Sequence, residues 1–189
     1  ITKPIAATII MQLVEEGRLS LMSLVSEFGI QLDNSDSVRV LHLLTHTSNG
    51  IPGTVFEYDG NRFSFLDQVV EQVSGQSFAE LVLERIAKPL DLKNTAPNLW
   101  DIEACNLWNL NREQFEQNLA KAYWPDGQIR ILYERYFGTA AGLISSVIDL
   151  AKYSIAIDDN ILVSKETQDL QFTPAIFTKD STTAYGLGW

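Results

Sequence analysis

The apolar pattern at the start of the chain most constrains its fold. The following residues recur at the spacing of one helix face: Ile5, Ile9, Ile10, Leu13 and Val14. Pro4 fits only in a first helical turn, where its missing N–H has no intrahelical acceptor. Gly17 can adopt the left-handed conformation that often ends a helix. We therefore expect a helix over about Thr2 to Glu16. Lys3 would lie at its positive end, where a solvated chain start is the simpler interpretation.

The composition bounds the class of protein. A length of 189 residues allows one domain or two small ones, and an apolar content of 46% is enough for a packed core. The 14 basic and 24 acidic residues give a net charge of −10, which argues against nucleic acid or an anionic membrane surface as a partner. Cys105 is the only cysteine, so no internal disulfide can form. No transmembrane run, signal peptide, metal-ligand cluster or cofactor motif stands out, so we expect no metal and no cofactor.

The rest of the sequence predicts mainly helices. Ser77 and Glu80 have the spacing of a capping box, in which each side chain bonds the other residue's backbone N–H. Further helices are expected near 63–74, 78–87 and 147–157. The closing segment Tyr185 to Trp189 alternates like a short strand. We thus expect a predominantly helical chain.

Three stretches in this order resemble the serine β-lactamase and penicillin-binding-protein superfamily: Ile1-Thr2-Lys3, Leu43 to Pro52 (LLTHTSNGIP) and Tyr185 to Trp189 (YGLGW). The nearest group is the class C β-lactamases with their esterase and D-peptidase relatives. The resemblance implies the α/β β-lactamase/transpeptidase-like fold. Residues 1–189 would form the central part of that domain, namely the helical lobe with the nucleophile helix, without the flanking sheet strands. It also suggests a periplasmic or extracellular location.

The resemblance implies a catalytic role for Lys3. The superfamily carries a Ser-x-x-Lys motif at the start of its central helix, and Ile1-Thr2-Lys3 matches the last three positions. The nucleophilic serine is then expected just before Ile1, so these 189 residues alone should be inert. A serine hydroxyl needs a nearby base, and a lysine three residues later lies on the same helix face. The implied substrate is a small acyl compound, attacked through an acyl-enzyme.

The superfamily's second motif, Tyr-x-Asn, is matched only in part. Tyr58 stands at the tyrosine position, Gly60 occupies the asparagine position, and Asn61 follows one place late. By the resemblance Tyr58 would be catalytic beside Lys3, with their polar heads within about a hydrogen bond or one bridging water of each other or of the expected serine's position. Gly60 and Asn61 would border the substrate. Because glycine offers no side-chain amide, the pattern favours ester or peptide chemistry over β-lactam hydrolysis.

Two alternatives stay open at this point. The chain could instead be a catalytically silent ligand-binding or sensor relative, or a helical interaction module, in which case Tyr58 is an ordinary loop tyrosine. His46 is either a catalytic base or a brace for its loop, and the resemblance favours the brace. The natural substrate and the oligomeric state cannot be read from the sequence.

Overall fold

The first helix, α1 (Thr2–Glu15), lies at the centre of the fold. The computed structural model describes residues 1–34, 36–130, 136–178, 181–182 and 185–189. Seven apolar side chains of α1 are no more than 2% exposed: Ile5, Ala6, Ala7, Ile9, Ile10, Met11 and Leu13. They lie on several sides of the helix, as in a helix enclosed by a core. Gly17 has a φ of +69° just after the helix, so the predicted end is confirmed.

The surrounding elements are mostly short helices. After a 3-10 turn at Val25–Phe28 they are α2 (Val40–Leu44), α3 (Gly60–Ser64), α4 (Leu66–Ser74), α5 (Phe78–Val82, extended by a π turn over Leu83–Ala87), α6 (Ile102–Leu107), α7 (Arg112–Gln117), α8 (Val147–Asp158) and α9 (Lys165–Phe172). Helices α4, α5 and α9 pack on α1. Ser77 accepts from the N–H of Glu80 and the Glu80 carboxylate accepts from the N–H of Ser77, so the capping box is confirmed.

Strand structure is limited to two hairpins in the described part of the chain. Strand β1 (Ala122–Tyr123) pairs antiparallel with β2 (Ile129–Arg130), and β3 (Ile176–Thr178) pairs antiparallel with β4 (Ser181–Thr182). The prediction of a predominantly helical chain is therefore confirmed. None of the helices described is long and apolar enough to cross a membrane.

The strand expected over Tyr185 to Trp189 is wrong. Its backbone makes irregular tertiary contacts instead: the N–H of Leu187 donates to the carbonyl of Gln171 at 2.9 Å, and the N–H of Gly188 donates to that of Leu44 at 3.1 Å. Gly188 has a φ of +79°, which is not extended, and a Cβ there would lie 2.6 Å from the Cβ of Ala7 on α1. Close packing on the central helix thus overrides the alternating pattern.

Candidate active site

The Lys3 ammonium lies among aromatic rings and one backbone carbonyl. Its Nζ donates to the carbonyl oxygen of Ala140 at 2.7 Å. Nζ also lies 5.0 Å from the ring centre of Tyr58 and 5.1 Å from that of Phe63, within the range of cation–π attraction. Within the described residues no carboxylate forms an ion pair with Lys3. Lys3 is therefore not simply a solvated chain start.

The structure brings Tyr58 beside Lys3 although they lie far apart in sequence. Tyr58 directly precedes Asp59, whose side chain caps α3 by accepting from the N–H of Arg62 at 3.0 Å. The Tyr58 side chain is 59% exposed, so it is not ordinary core packing. Its catalytic partnership with Lys3 stays a prediction.

His46 braces the segment that carries Tyr58. Its Nδ1 accepts from the N–H of Asp59 at 3.1 Å, and its carbonyl accepts from the N–H of Glu57 at 2.9 Å. The imidazole is 2% exposed, and its ring centre lies 4.3 Å from that of Tyr58 and 5.2 Å from that of Phe63. With Nδ1 accepting, the proton of the neutral ring sits on Nε2, which has no hydrogen-bond partner among the described residues. These contacts favour the structural role over the catalytic one.

His46 should make stability pH-dependent. Burial, with the charge of Lys3, lowers the pKa of His46 from 6.5 to about 4. Between pH 6.5 and about 4, His46 therefore carries a proton in the unfolded chain but not in the folded chain. The free energy of unfolding should consequently fall by up to about 3 kcal/mol as the pH falls through this range. Urea unfolding of the full-length protein at pH 7.5 and 4.5 measures the loss. His46→Asn does not titrate and tolerates the φ of +54°, so its pH dependence should be clearly smaller. Equal slopes in both proteins would contradict the assignment.

The other two predicted site residues differ in their placement. Gly60 begins α3 and faces Lys3, because a Cβ built at Gly60 would lie 4.0 Å from Lys3 Nζ with nothing closer. Asn61 is exposed, and its carbonyl accepts from the hydroxyl of Ser64 at 2.7 Å. No contact places the Asn61 side chain at Lys3 in the described structure. Both substrate-binding assignments stay predictions.

Two further contacts fix the loop that carries Ala140. The N–H of Leu143 donates to the hydroxyl of Thr2 at 3.1 Å, and the hydroxyl of Thr139 donates to the carbonyl of Phe63 at 3.3 Å. The loop is thereby tied both to α1 and to α3. Sequence reasoning missed Ala140 as a site residue because its contribution is a backbone oxygen, which any residue type supplies.

A cavity of about 760 Å³ adjoins the end of this loop. Its walls include Trp100, Arg112 and the backbone segment 142–144. Trp108 is instead half-buried against the core, and its indole N–H donates to the carbonyl of Ala79 at 3.0 Å. Trp100 and Trp108 therefore differ in their surroundings, the first at the cavity and the second against the core. Among the residues described, no cluster of three or more His, Cys, Asp or Glu could hold a metal ion.

Comparison with protein families gives one decisive match. The model described as Beta-lactamase matches residues 1–189. The chain belongs to the beta-lactamase family. The resemblance seen in the sequence is thereby confirmed, and so is its implied fold, since solved members of this superfamily superpose on the chain.

Individual beta-lactamase-family relatives fit this assignment. An octameric penicillin-binding protein homologue from Pyrococcus abyssi is 28% identical, with a TM-score of 0.79 over 99% of this chain and 51% of its own. The Bacillus subtilis (strain 168) protein PbpX, named as a penicillin-binding protein, is 25% identical over 99% of this chain and 51% of its own length. A D-stereospecific amidohydrolase from Streptomyces sp. shares the fold with a TM-score of 0.79 at 20% identity, covering 99% of this chain and 68% of its own. The chain spans about half the length of the curated relative.

Proposed function

We propose that the protein containing this chain is a serine hydrolase that works through an acyl-enzyme on an ester, peptide or β-lactam-like acyl substrate. The nucleophile would be a serine immediately before Ile1, one helical turn from Lys3. Lys3 and Tyr58 would move the proton of that hydroxyl during acylation. No step in this scheme requires a cofactor.

One observation carries the proposal: the Lys3 ammonium is held beside Tyr58 without a carboxylate partner in the described structure. A surface lysine usually points into solvent or pairs with an acid, whereas Lys3 is bound by a carbonyl at the first turn of a buried helix. In its neutral amine form, a lysine in that place would take up a proton from a neighbouring hydroxyl and then return it. The family assignment supports the same chemistry.

The substrate class follows from Gly60. A side-chain amide at this position would reach the space beside Lys3, where it could bond the amide of a β-lactam. Glycine cannot do so, and esters need no such partner. We therefore expect the full-length protein to hydrolyse a p-nitrophenyl ester faster than a chromogenic cephalosporin.

Gly60→Asn should shift this preference toward amides. The φ of Gly60 is not in the left-handed region, and the nearest atom to an added Cβ is 4.0 Å away, so the side chain can be accommodated. The ratio of cephalosporin to ester kcat/KM should rise about tenfold, the value of one added hydrogen bond to the reacting group. Gly60→Ala is the matched control, since it adds a Cβ without an amide and should leave the ratio unchanged. An equal shift in both variants would contradict the proposal.

The alternative to a serine hydrolase is a catalytically silent sensor. It predicts that the full-length protein binds acyl compounds without turning them over. Mass spectrometry after incubation with a β-lactam or an activated ester separates the two, because only the hydrolase forms a covalent adduct. A protein that neither forms an adduct nor releases p-nitrophenol from an activated ester, or a residue other than serine before Ile1, would exclude the hydrolase.

A further inference from the structure

A carboxylate away from Lys3 holds the loop that carries the Ala140 carbonyl. Asp67 lies on α4, and its Oδ1 accepts from the backbone N–H of Thr139 at 2.6 Å. Its Oδ2 accepts from the hydroxyl of Tyr136. Thr139 is fully buried and directly precedes Ala140. The carboxylate therefore fixes the backbone one residue before the oxygen that binds Lys3.

The contact between Asp67 and the loop is close and leaves no room for a side chain. A Cβ on Gly138 would collide with the Asp67 carboxylate and with the Tyr136 hydroxyl. The loop also closes on itself, since Gly138 and Ala141 exchange backbone hydrogen bonds of 3.1 and 3.2 Å. A displacement of Thr139 would thus be passed directly to the Ala140 carbonyl.

We propose that Asp67 is a positioning residue, which with Tyr136 holds the Ala140 carbonyl where it orients the Lys3 ammonium. This inference rests on the proposed function, because the orientation of Lys3 matters only if Lys3 is catalytic. Displacements of about 1 Å in such a support can lower a rate by up to about a hundredfold.

The pKa of Asp67 is consistent with a positioning role. Burial raises the pKa of Asp67, although the hydrogen bonds from Thr139 and Tyr136 oppose that rise. A carboxyl whose pKa is raised on folding destabilises the folded state when it is ionised. Stability therefore falls as the pH rises from the unfolded-state pKa through the folded-state pKa. Burial of this carboxyl therefore disfavours its ionised form, and groups with pKa values perturbed in this way are common at functional sites.

Variants of the full-length protein test the role of Asp67. Asp67→Leu keeps a similar volume but removes both acceptors, and should lower kcat for acylation about tenfold with little change in KM. Asp67→Asn keeps an oxygen for the N–H of Thr139 and can donate to the Tyr136 hydroxyl, so its activity should stay within about threefold of the original. Glu71→Leu, an exposed acid one turn later on α4, is the control and should have no effect.

A double variant separates positioning from general damage. If Asp67 acts through Lys3, adding Asp67→Leu to Lys3→Ala should cause no further loss of kcat, whereas unrelated damage would lower it additively. Tyr136→Phe, with the exposed Tyr123→Phe as its control, provides the same test if Asp67→Leu does not fold. Full activity in Asp67→Leu and Tyr136→Phe, with Lys3→Ala inactive, would overturn the positioning role alone. A fully active Lys3→Ala would overturn the proposed function itself.

Discussion

Lys3→Ala in the full-length protein should lower the rate of acylation by about a hundredfold or more. The reason is that the neutral amine is the proposed proton acceptor one helical turn from the expected serine, and alanine leaves the hydroxyl with Tyr58 alone. The rate is measured as the pre-steady-state burst of p-nitrophenol from an activated ester. KM should change far less than kcat, because the lysine acts on the reacting atoms rather than on binding.

Tyr58→Phe should have an effect of similar size, and the two losses should not add. Residues that act on the same proton fail as a unit, so the double variant should be only slightly slower than either single one. Tyr123→Phe is a matched control, since Tyr123 has the same 59% exposure as Tyr58 but lies in the β1–β2 hairpin. Small and additive losses would mean that the chain shares the family's fold without its chemistry.

Phe63→Ala should cause a large loss of stability. Phe63 is fully buried, with its ring centre 5.1 Å from Lys3 Nζ and 5.2 Å from the ring centre of His46. Truncating a buried phenylalanine leaves a cavity and typically costs about 3 to 5 kcal/mol. Whole domains are stable by only about 5 to 15 kcal/mol, so the urea midpoint should fall steeply.

An exposed phenylalanine provides the comparison. Phe172, at the end of α9, is 41% exposed, so Phe172→Ala should cost about 1 kcal/mol. A loss below about 1 kcal/mol for Phe63→Ala would show that the ring is not part of a tightly packed core. Near-native unfolding with reduced acylation would instead make Phe63 a component of the site alone.

Features set by local sequence were predictable. The helix α1 follows from its apolar spacing, and the capping box at Ser77 follows from side-chain reach. Helix α8 (Val147–Asp158) was expected over 147–157. The proximity of Lys3 and Tyr58 was expected only from the motif resemblance, because nothing local brings two residues so far apart together, and their catalytic roles stay predictions.

Features set by tertiary packing were not predictable. The predicted helix over 63–74 is interrupted at Phe65 and begins at Gly60, since Asp59 caps an extra turn. Asp67 reads as an ordinary polar position on an amphipathic helix, and only the fold brings it to Thr139. A single sequence carries no signal for a carboxylate that acts on the backbone of a distant loop.

The use of a backbone oxygen to hold Lys3 affects how this site can evolve. Any amino acid at position 140 presents the same carbonyl, so substitutions there need not remove the contact with the ammonium. The vulnerable positions are the flanking glycines. A Cβ on Gly138 would displace the Asp67 carboxylate and the Tyr136 hydroxyl that hold the loop, and a Cβ on Gly142, with a φ of +100°, would lie within 2.9 Å of the Cα of Phe137. Substitutions should therefore be tolerated at position 140, which contacts the lysine, and rejected at positions 138 and 142. Deep mutational scanning of residues 138–142 would reveal this pattern.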